Sequence, residues 1–281
     1  MKADLQIDHL MNKVDSPQDA GEWFERCGFT VTPLSVIGSM GLCNRLVLFE
    51  PQVAGGANFI ELMGVVPGAQ VQPAMGKLLA GADGTRSMVL VSQDAHASRA
   101  LLAQRGFAPG EVHHVTRQWD LPGESLDLAF DVLLPMAAPL MFNVCRYHTL
   151  QHYLRPQWTR HANGVMRIAA VLGVVDDLAA AAAFYERLFG VGARPLSPGR
   201  VVLRPGPVAL ELFSAAAYAE SGGGATHPAG FAGYRLACGD AREAAGWFRR
   251  AGNAVAWRDG AQAYGVQAFG NDLLLQDHSA G

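Results

Sequence analysis

Charge is scarce in this chain. Only 17% of its 281 residues are charged and the formal net charge is -3, which leaves no electrostatic footprint for nucleic acid or for an anionic membrane. Long apolar runs are missing too. Polar residues interrupt each one well short of the roughly 20 residues that a membrane-spanning helix needs. Cysteine is sparse and scattered: Cys27, Cys43, Cys145 and Cys238 form no CxxC pair, which argues against a zinc-finger site and a disulfide framework. The opening MKADLQIDHL has no basic-then-apolar leader and goes directly into a strand-like pattern. A reduced, cytoplasmic chain is the simplest expectation.

What is present is core material and turns. Half of the residues are hydrophobic, and the length suits one large domain or two modest ones. Thirty-two glycines and fifteen prolines suggest many turns rather than long helices, and no tract is of low complexity.

One unit recurs four times. The first copy reads strand LQIDHLMNKV, helix SPQDAGEWFERCGF, then strands around TVTPLSV, NRLVLFE and NFIELMGVV. Asp15 or Ser16 can cap the helix and Gly28 can close it. The order βαβββ returns from Val165, with Glu25-Arg26 matched by Glu186-Arg187 and Val14-Asp15 by Val175-Asp176. Two weaker copies follow the same grammar, one from SMVLVSQ and one from GYRLACG. The fold class expected is α+β, four βαβββ modules paired into two half-barrels. Their bounds are 1–150 (modules one and two) and 165–281 (modules three and four), with a connector at 151–164.

Glu61 stands out in NFIELMG. A carboxylate in a short apolar strand must be paired, hydrogen-bonded or bound to metal, because burying it bare costs several kcal/mol. His9, central in the first strand, is the partner that the strand order offers. The two together form either a functional site or a structural His–Glu hydrogen bond.

Paired βαβββ modules, with IDHL opening and FIELMG closing the first, resemble the vicinal-oxygen-chelate superfamily. GLCNRLVLF, NFIELMG and RHANG are similar in particular to its glyoxalase-like-domain branch. The resemblance implies that two modules curl into a half-open barrel around a small-molecule site, where His or Glu from the first and last strands commonly holds a divalent metal. It carries His9 and Glu61 into the cavity as catalytic residues and as ligands of a Zn, Fe, Mn, Ni or Co ion. His148 or Tyr147, leaving the last strand of module two, is the third group expected, with His148 as the metal ligand. The second module sets Ser87 and Asn143 where His9 and Glu61 stand, so a four-ligand glyoxalase I site is not preserved.

Other residues come forward for substrate contact. Asn44 and Arg45 sit beside Cys43 on the third strand, and a lone cysteine there is usually a small core residue. Arg146, Tyr147 and His148 leave the last strand of module two. The stretch from there to Asn163 also contains His152 and His161, and it reads equally well as an exposed connector. In EVHHVTRQW, Arg117 and Trp119 share a face with His113, since strand neighbours point to opposite faces. The third module keeps Glu211 but has Ala170 in the place of His9, and it supplies no iron triad for an extradiol dioxygenase.

The expectation is therefore a glyoxalase-like protein, a metal-dependent lyase, isomerase or hydrolase acting on a small oxygenated molecule in the N-terminal half-barrel. A non-catalytic binding or resistance protein, and a metal-free enzyme using His9 and Glu61 as acid and base, stay open beside it. Partners are a small molecule, neither nucleic acid nor membrane, and a homodimer is compatible with this picture.

Overall fold

The computed structural model describes residues 5–71, 73–223, 227–258 and 262–278. Module one contains β1 (Gln6–Lys13), α1 (Pro17–Arg26), β2 (Ser35–Ile37), β3 (Leu42–Phe49) and β4 (Asn58–Val65). After a short α2 (Pro73–Leu78), module two runs β5 (Gly84–Val91), α3 (Ala95–Gln104), β6 (Val112–Leu121), β7 (Glu124–Met136) and β8 (Phe142–Tyr147). A single helical turn, α4 (Pro156–Thr159), leads into module three. That module has β9 (Val165–Val174), α5 (Leu178–Phe189), β10 (Arg194–Ser197), β11 (Arg200–Leu203) and β12 (Ala209–Phe213). Module four follows α6 (Ala215–Tyr218) with β13 (Gly230–Cys238), α7 (Ala241–Arg250), β14 (Ala256–Arg258), β15 (Ala263–Ala268) and β16 (Asn271–Asp277).

Each main helix starts on a side-chain cap. Ser16, Asp94, Asp177 and Asp240 each accept a hydrogen bond from a first-turn backbone N–H, which satisfies donors that a helix end otherwise leaves unpaired. Two eight-stranded sheets result, with orders β2-β3-β4-β1-β5-β8-β7-β6 and β10-β11-β12-β9-β13-β16-β15-β14. The two orders are the same when shifted by eight strands, which is the repeat seen in the sequence. Within each module the first and fourth strands pair parallel, and the modules of a sheet join through antiparallel first strands.

The halves pack through their helices. Trp23 of α1 meets Phe248 of α7 edge to face at 5.7 Å and donates its indole N–H to Asn253 at 3.0 Å. Phe107 packs on Phe184 of α5 at 5.2 Å, and the Tyr185 hydroxyl donates to the Leu140 carbonyl and accepts from the Leu140 N–H. One continuous apolar core therefore runs between the sheets. Among the described residues, no helix is long and apolar enough to cross a membrane.

The connector is not an exposed tether. Tyr153 and Trp158 are buried with Leu46, Leu48 and Trp119 in a second apolar cluster, so 149–164 closes one end of the first sheet. His161 in the same segment accepts from the Thr30 N–H and donates to the Leu48 carbonyl, each at 3.0 Å.

Candidate active site

The first sheet curls until its edge strands meet, with the Arg117 guanidinium donating from β6 to the Ser35 hydroxyl on β2. The concave face encloses a cavity of about 110 Å³. Its wall is largely apolar and includes four methionines (Met11, Met40, Met63 and Met75) with Phe59, Val115, Phe130 and Val132 among others. Methionine walls adapt to irregular ligands because the side chain is unbranched and polarizable. Set into this wall are His9, Asn44, Glu61, Arg117, Asn143 and Tyr147.

His9 is held from behind. Its Nδ1 lies 2.8 Å from Asp8 Oδ2 and 3.1 Å from the Tyr147 hydroxyl, and Tyr147 donates to the same Asp8 oxygen at 2.7 Å. The ring stacks on Phe59 at 3.9 Å. Neighbours on a regular strand point to opposite faces, yet Asp8 reaches the His9 ring. The β1–β5 ladder slips register between Ile7 and His9, a bulge that re-aims the side chains. Asp8 is only 2% exposed, and its other oxygen accepts from the Ala57 N–H at 2.7 Å. A carboxylate on Nδ1 fixes the proton there and leaves a lone pair on Nε2. Burial first, then the Asp8 charge, push the Tyr147 phenol well above its ordinary pKa, so Tyr147 acts as a neutral donor. Sequence reasoning passed over Asp8. An Asp next to a strand His was the available signal, but alternation assigns it to the wrong face.

Glu61 has its own partner. It lies 8% exposed and accepts from the Asn44 amide at 2.7 Å. No hydrogen bond joins Glu61 to His9 among the described residues. The register explains this: β4 sets Phe59, not Glu61, beside His9, and Glu61 falls beside Met11. In module two, Asn143 falls beside Val89, two residues after Ser87, as Met11 follows His9. Ser87 donates to the Asn143 amide oxygen at 2.7 Å, which orients that side chain. Asn44 Oδ1 and Arg117 Nε remain buried without a partner among the described residues. Unsatisfied polar atoms of this kind in a native structure call for a water or a ligand.

A profile described as "Glyoxalase-like domain" matches residues 7–189, well over half of the chain. The chain belongs to the glyoxalase-like domain family. The matched span includes every polar residue of the cavity. Among solved structures, a hypothetical protein from Staphylococcus aureus aligns with TM-score 0.64 at 11% identity, covering 98% of this chain and 100% of that one. A xylose isomerase-like TIM barrel/4-hydroxyphenylpyruvate dioxygenase fusion protein aligns with TM-score 0.62 at 15% identity, over 99% of this chain and 49% of that one. A mutant 4-hydroxymandelate synthase from Streptomyces coelicolor gives 0.55 at 11%, over 99% and 92%. At these identities the likeness is one of fold alone. A search of curated proteins finds no match.

This glyoxalase-like protein departs from a metal centre in its donor set. His9 and Glu61 are sound ligands for a divalent ion, and a carboxylate behind a ligating His is the usual second partner. Catalytic zinc sites, however, draw three ligands from the protein. Among the described residues no third His, Cys, Asp or Glu joins His9 and Glu61 closely enough to share an ion. The trio that could, His114, Asp131 and His148, lies elsewhere. The cavity does not fit a three-ligand metal.

Several sequence candidates stand outside the cavity, and strand alternation accounts for most of them. Asn44 faces in, so Arg45 faces out, donating to the Thr32 carbonyl at 2.8 Å and pairing with Glu25. Tyr147 faces in, so Arg146 and His148 face out toward Asp131, at 3.8 and 2.8 Å. His148 is therefore no third ligand beside His9. Trp119 shares the inner face, but Tyr153 and Trp158 cover it completely, while His113 is exposed. Cys43 does not line the cavity. Its thiol, pushed up by burial, donates to the Gly64 carbonyl, which removes it as a nucleophile.

The second sheet closes the equivalent space. Glu211 occupies the register place of Glu61, with Ala170 in that of His9. Arg235 pairs with Glu211 at 3.0 Å and Arg200 at 2.8 Å, and only about 10 Å³ remains open beside Tyr218 and Asp272. The space is filled by these ion pairs together with a buried apolar cluster that includes Leu172, Phe213, Tyr218 and Leu274.

Proposed function

We propose that this protein is an enzyme that moves a proton on a small, largely apolar, oxygenated molecule held in the first sheet's cavity, as a lyase or isomerase does, without a bound metal. The observation that carries this is the Asp8–His9–Tyr147 arrangement. A carboxylate and a phenol on Nδ1 leave Nε2 as a lone pair at the cavity, the posture of a general base. Asp8 also stabilises the imidazolium that forms when His9 takes the proton. Glu61, oriented by Asn44, is the second group able to accept or return a proton. Arg117 and Asn143 supply donors for a carbonyl or carboxylate oxygen, where charge develops as a neighbouring C–H is lost. The methionine wall selects for an apolar body.

The test is deuterium wash-in. Small apolar ketones and 2-oxo acids are first screened by thermal shift, and those that bind are incubated with enzyme in D2O. NMR then reads loss of the proton beside the carbonyl. The expected result is exchange that survives dialysis against a chelator and falls at least about 100-fold in His9→Gln and in Glu61→Gln, the usual scale of a general base. Binding without exchange for every ligand would favour a non-catalytic binding protein. Exchange lost to the chelator and restored by Zn, Mn, Ni or Fe would favour a metalloenzyme.

A further inference from the structure

The outer face of the first sheet carries a cluster that the cavity chemistry does not use. Phe130 and Val132 of β7 face the cavity, so Asp131 between them faces away, as do His114 beside Val115 and His148 beside Tyr147. Asp131 pairs across the ladder with His114 on β6 and with Arg146 on β8, two residues before His148. Three adjacent strands thus bring one atom each to a point. His114 Nδ1 lies 2.7 Å from Asp131 Oδ1 and His148 Nε2 lies 2.8 Å from Asp131 Oδ2, with one candidate ligand atom from each residue within 4.8 Å of the other two. The two rings meet edge to face at 5.3 Å.

We propose that His114, Asp131 and His148 form a divalent transition-metal site on this outer face, separate from the cavity. Two imidazoles and a carboxylate are the donor set that suits zinc, nickel, cobalt or iron, and zinc takes such ligands at about 2.0–2.2 Å. Tetrahedral ligand atoms sit about 3.3–3.6 Å apart, so bringing an ion between them requires the rings to move away from Asp131 by roughly 0.5–0.9 Å. The His114 side chain is 58% exposed and free to give way. Asp131 is fixed, with a side chain 11% exposed, and it presents both oxygens toward the rings. The solvent side leaves remaining coordination positions for water. Arg146, whose Nη1 lies 3.8 Å from Asp131 Oδ2, opposes the ion. It is also drawn toward Asp94, whose carboxyl it helps hold below the usual range after the Ala97 and His96 backbone hydrogen bonds. Bound metal would cross-link β6, β7 and β8, whose opposite faces form one wall of the cavity.

Untagged, chelator-treated protein is titrated with Zn²⁺, Ni²⁺ and Co²⁺ by calorimetry and thermal shift, with the Co²⁺ visible spectrum as a report on ligands. The expected result is one strong site in the wild type, weakened at least about tenfold in His114→Ala and in His148→Gln, since even losing a group behind a ligand costs that much. The His9→Gln/Glu61→Gln double variant should bind as the wild type does. His114→Ala removes an exposed side chain, so a well-folded protein is expected. No metal-dependent heat or melting shift in the wild type would overturn the proposal. So would binding lost in the double variant but kept in His114→Ala, which places the ion in the cavity.

Discussion

Acid should loosen the seam between the first sheet and the connector, through one residue. His161 accepts from the Thr30 N–H on Nδ1 and donates from Nε2 to the Leu48 carbonyl, wedged between Phe29 and Phe49 at 5.2 and 5.0 Å. A second ring proton would have to point at the Thr30 N–H, so protonation breaks that hydrogen bond. Burial, only partly offset by the Leu48 hydrogen bond, lowers its pKa from 6.5 to about 4. The unfolded chain therefore binds this proton more readily than the folded one. The stabilising contribution is complete above pH 6.5 and is lost as pH falls toward 4. A shift of this size is worth about 3 kcal/mol in the acid limit and about 2 kcal/mol between pH 7.5 and 5, with partial exposure to the neighbouring groove trimming both. Urea unfolding followed by tryptophan fluorescence at steps from pH 5 to 7.5 measures it, run in parallel on His161→Gln. Glutamine keeps one donor and one acceptor and cannot titrate. The wild-type curve should fall by about 2 kcal/mol more than the variant's. Parallel curves would refute this account, as would a His161 NMR titration midpoint near 6.5.

Other expectations follow from the same contacts. Asp8→Asn removes the carboxylate that sets the His9 tautomer, so deuterium exchange should drop by about 100-fold or more while ligand-induced melting shifts persist; equal loss of both would make Asp8 merely structural. Gly270 has φ +67 and a Cβ there would lie 2.1 Å from the Asp83 carbonyl oxygen, so Gly270→Ala should cost about 1–3 kcal/mol in urea unfolding and a silent change would contradict the packing of this turn. Trp158→Ala empties a buried position against Trp119 at 5.0 Å and should destabilise by about 3–5 kcal/mol. A loss under 1 kcal/mol would mean that the connector does not seal the sheet.

The architecture was legible because it is repeated. Helix caps, apolar alternation and the common order of elements agree four times over, so each copy supports the others. The place of Glu61 was legible for another reason: a carboxylate inside FIELM must face something polar. Its partner was not, since it depends on which residue of β3 lies opposite, and cross-strand register leaves little local trace. Asn44 was singled out as a ligand contact, not as the group holding Glu61. Asp8 escaped because a bulge breaks the alternation on which strand reasoning rests. His148 was attached to His9 by its nearness to Tyr147 in sequence, and one residue along a strand is the difference between two faces. The connector divided evenly between exposed and site-lining readings until Tyr153 and Trp158 were seen to be buried.

That connector has an evolutionary consequence. One point of the cavity's lining comes from a segment with one 3-10 turn and a single helical turn, not from the barrel itself. Tyr153, which reaches the cavity, is carried by it. The side chain of Tyr153 can change there without altering the strand pairing, while Trp158 and His161 keep the segment anchored. The strands that carry Asp8, His9 and Glu61 can then stay fixed while this edge of the cavity is reshaped.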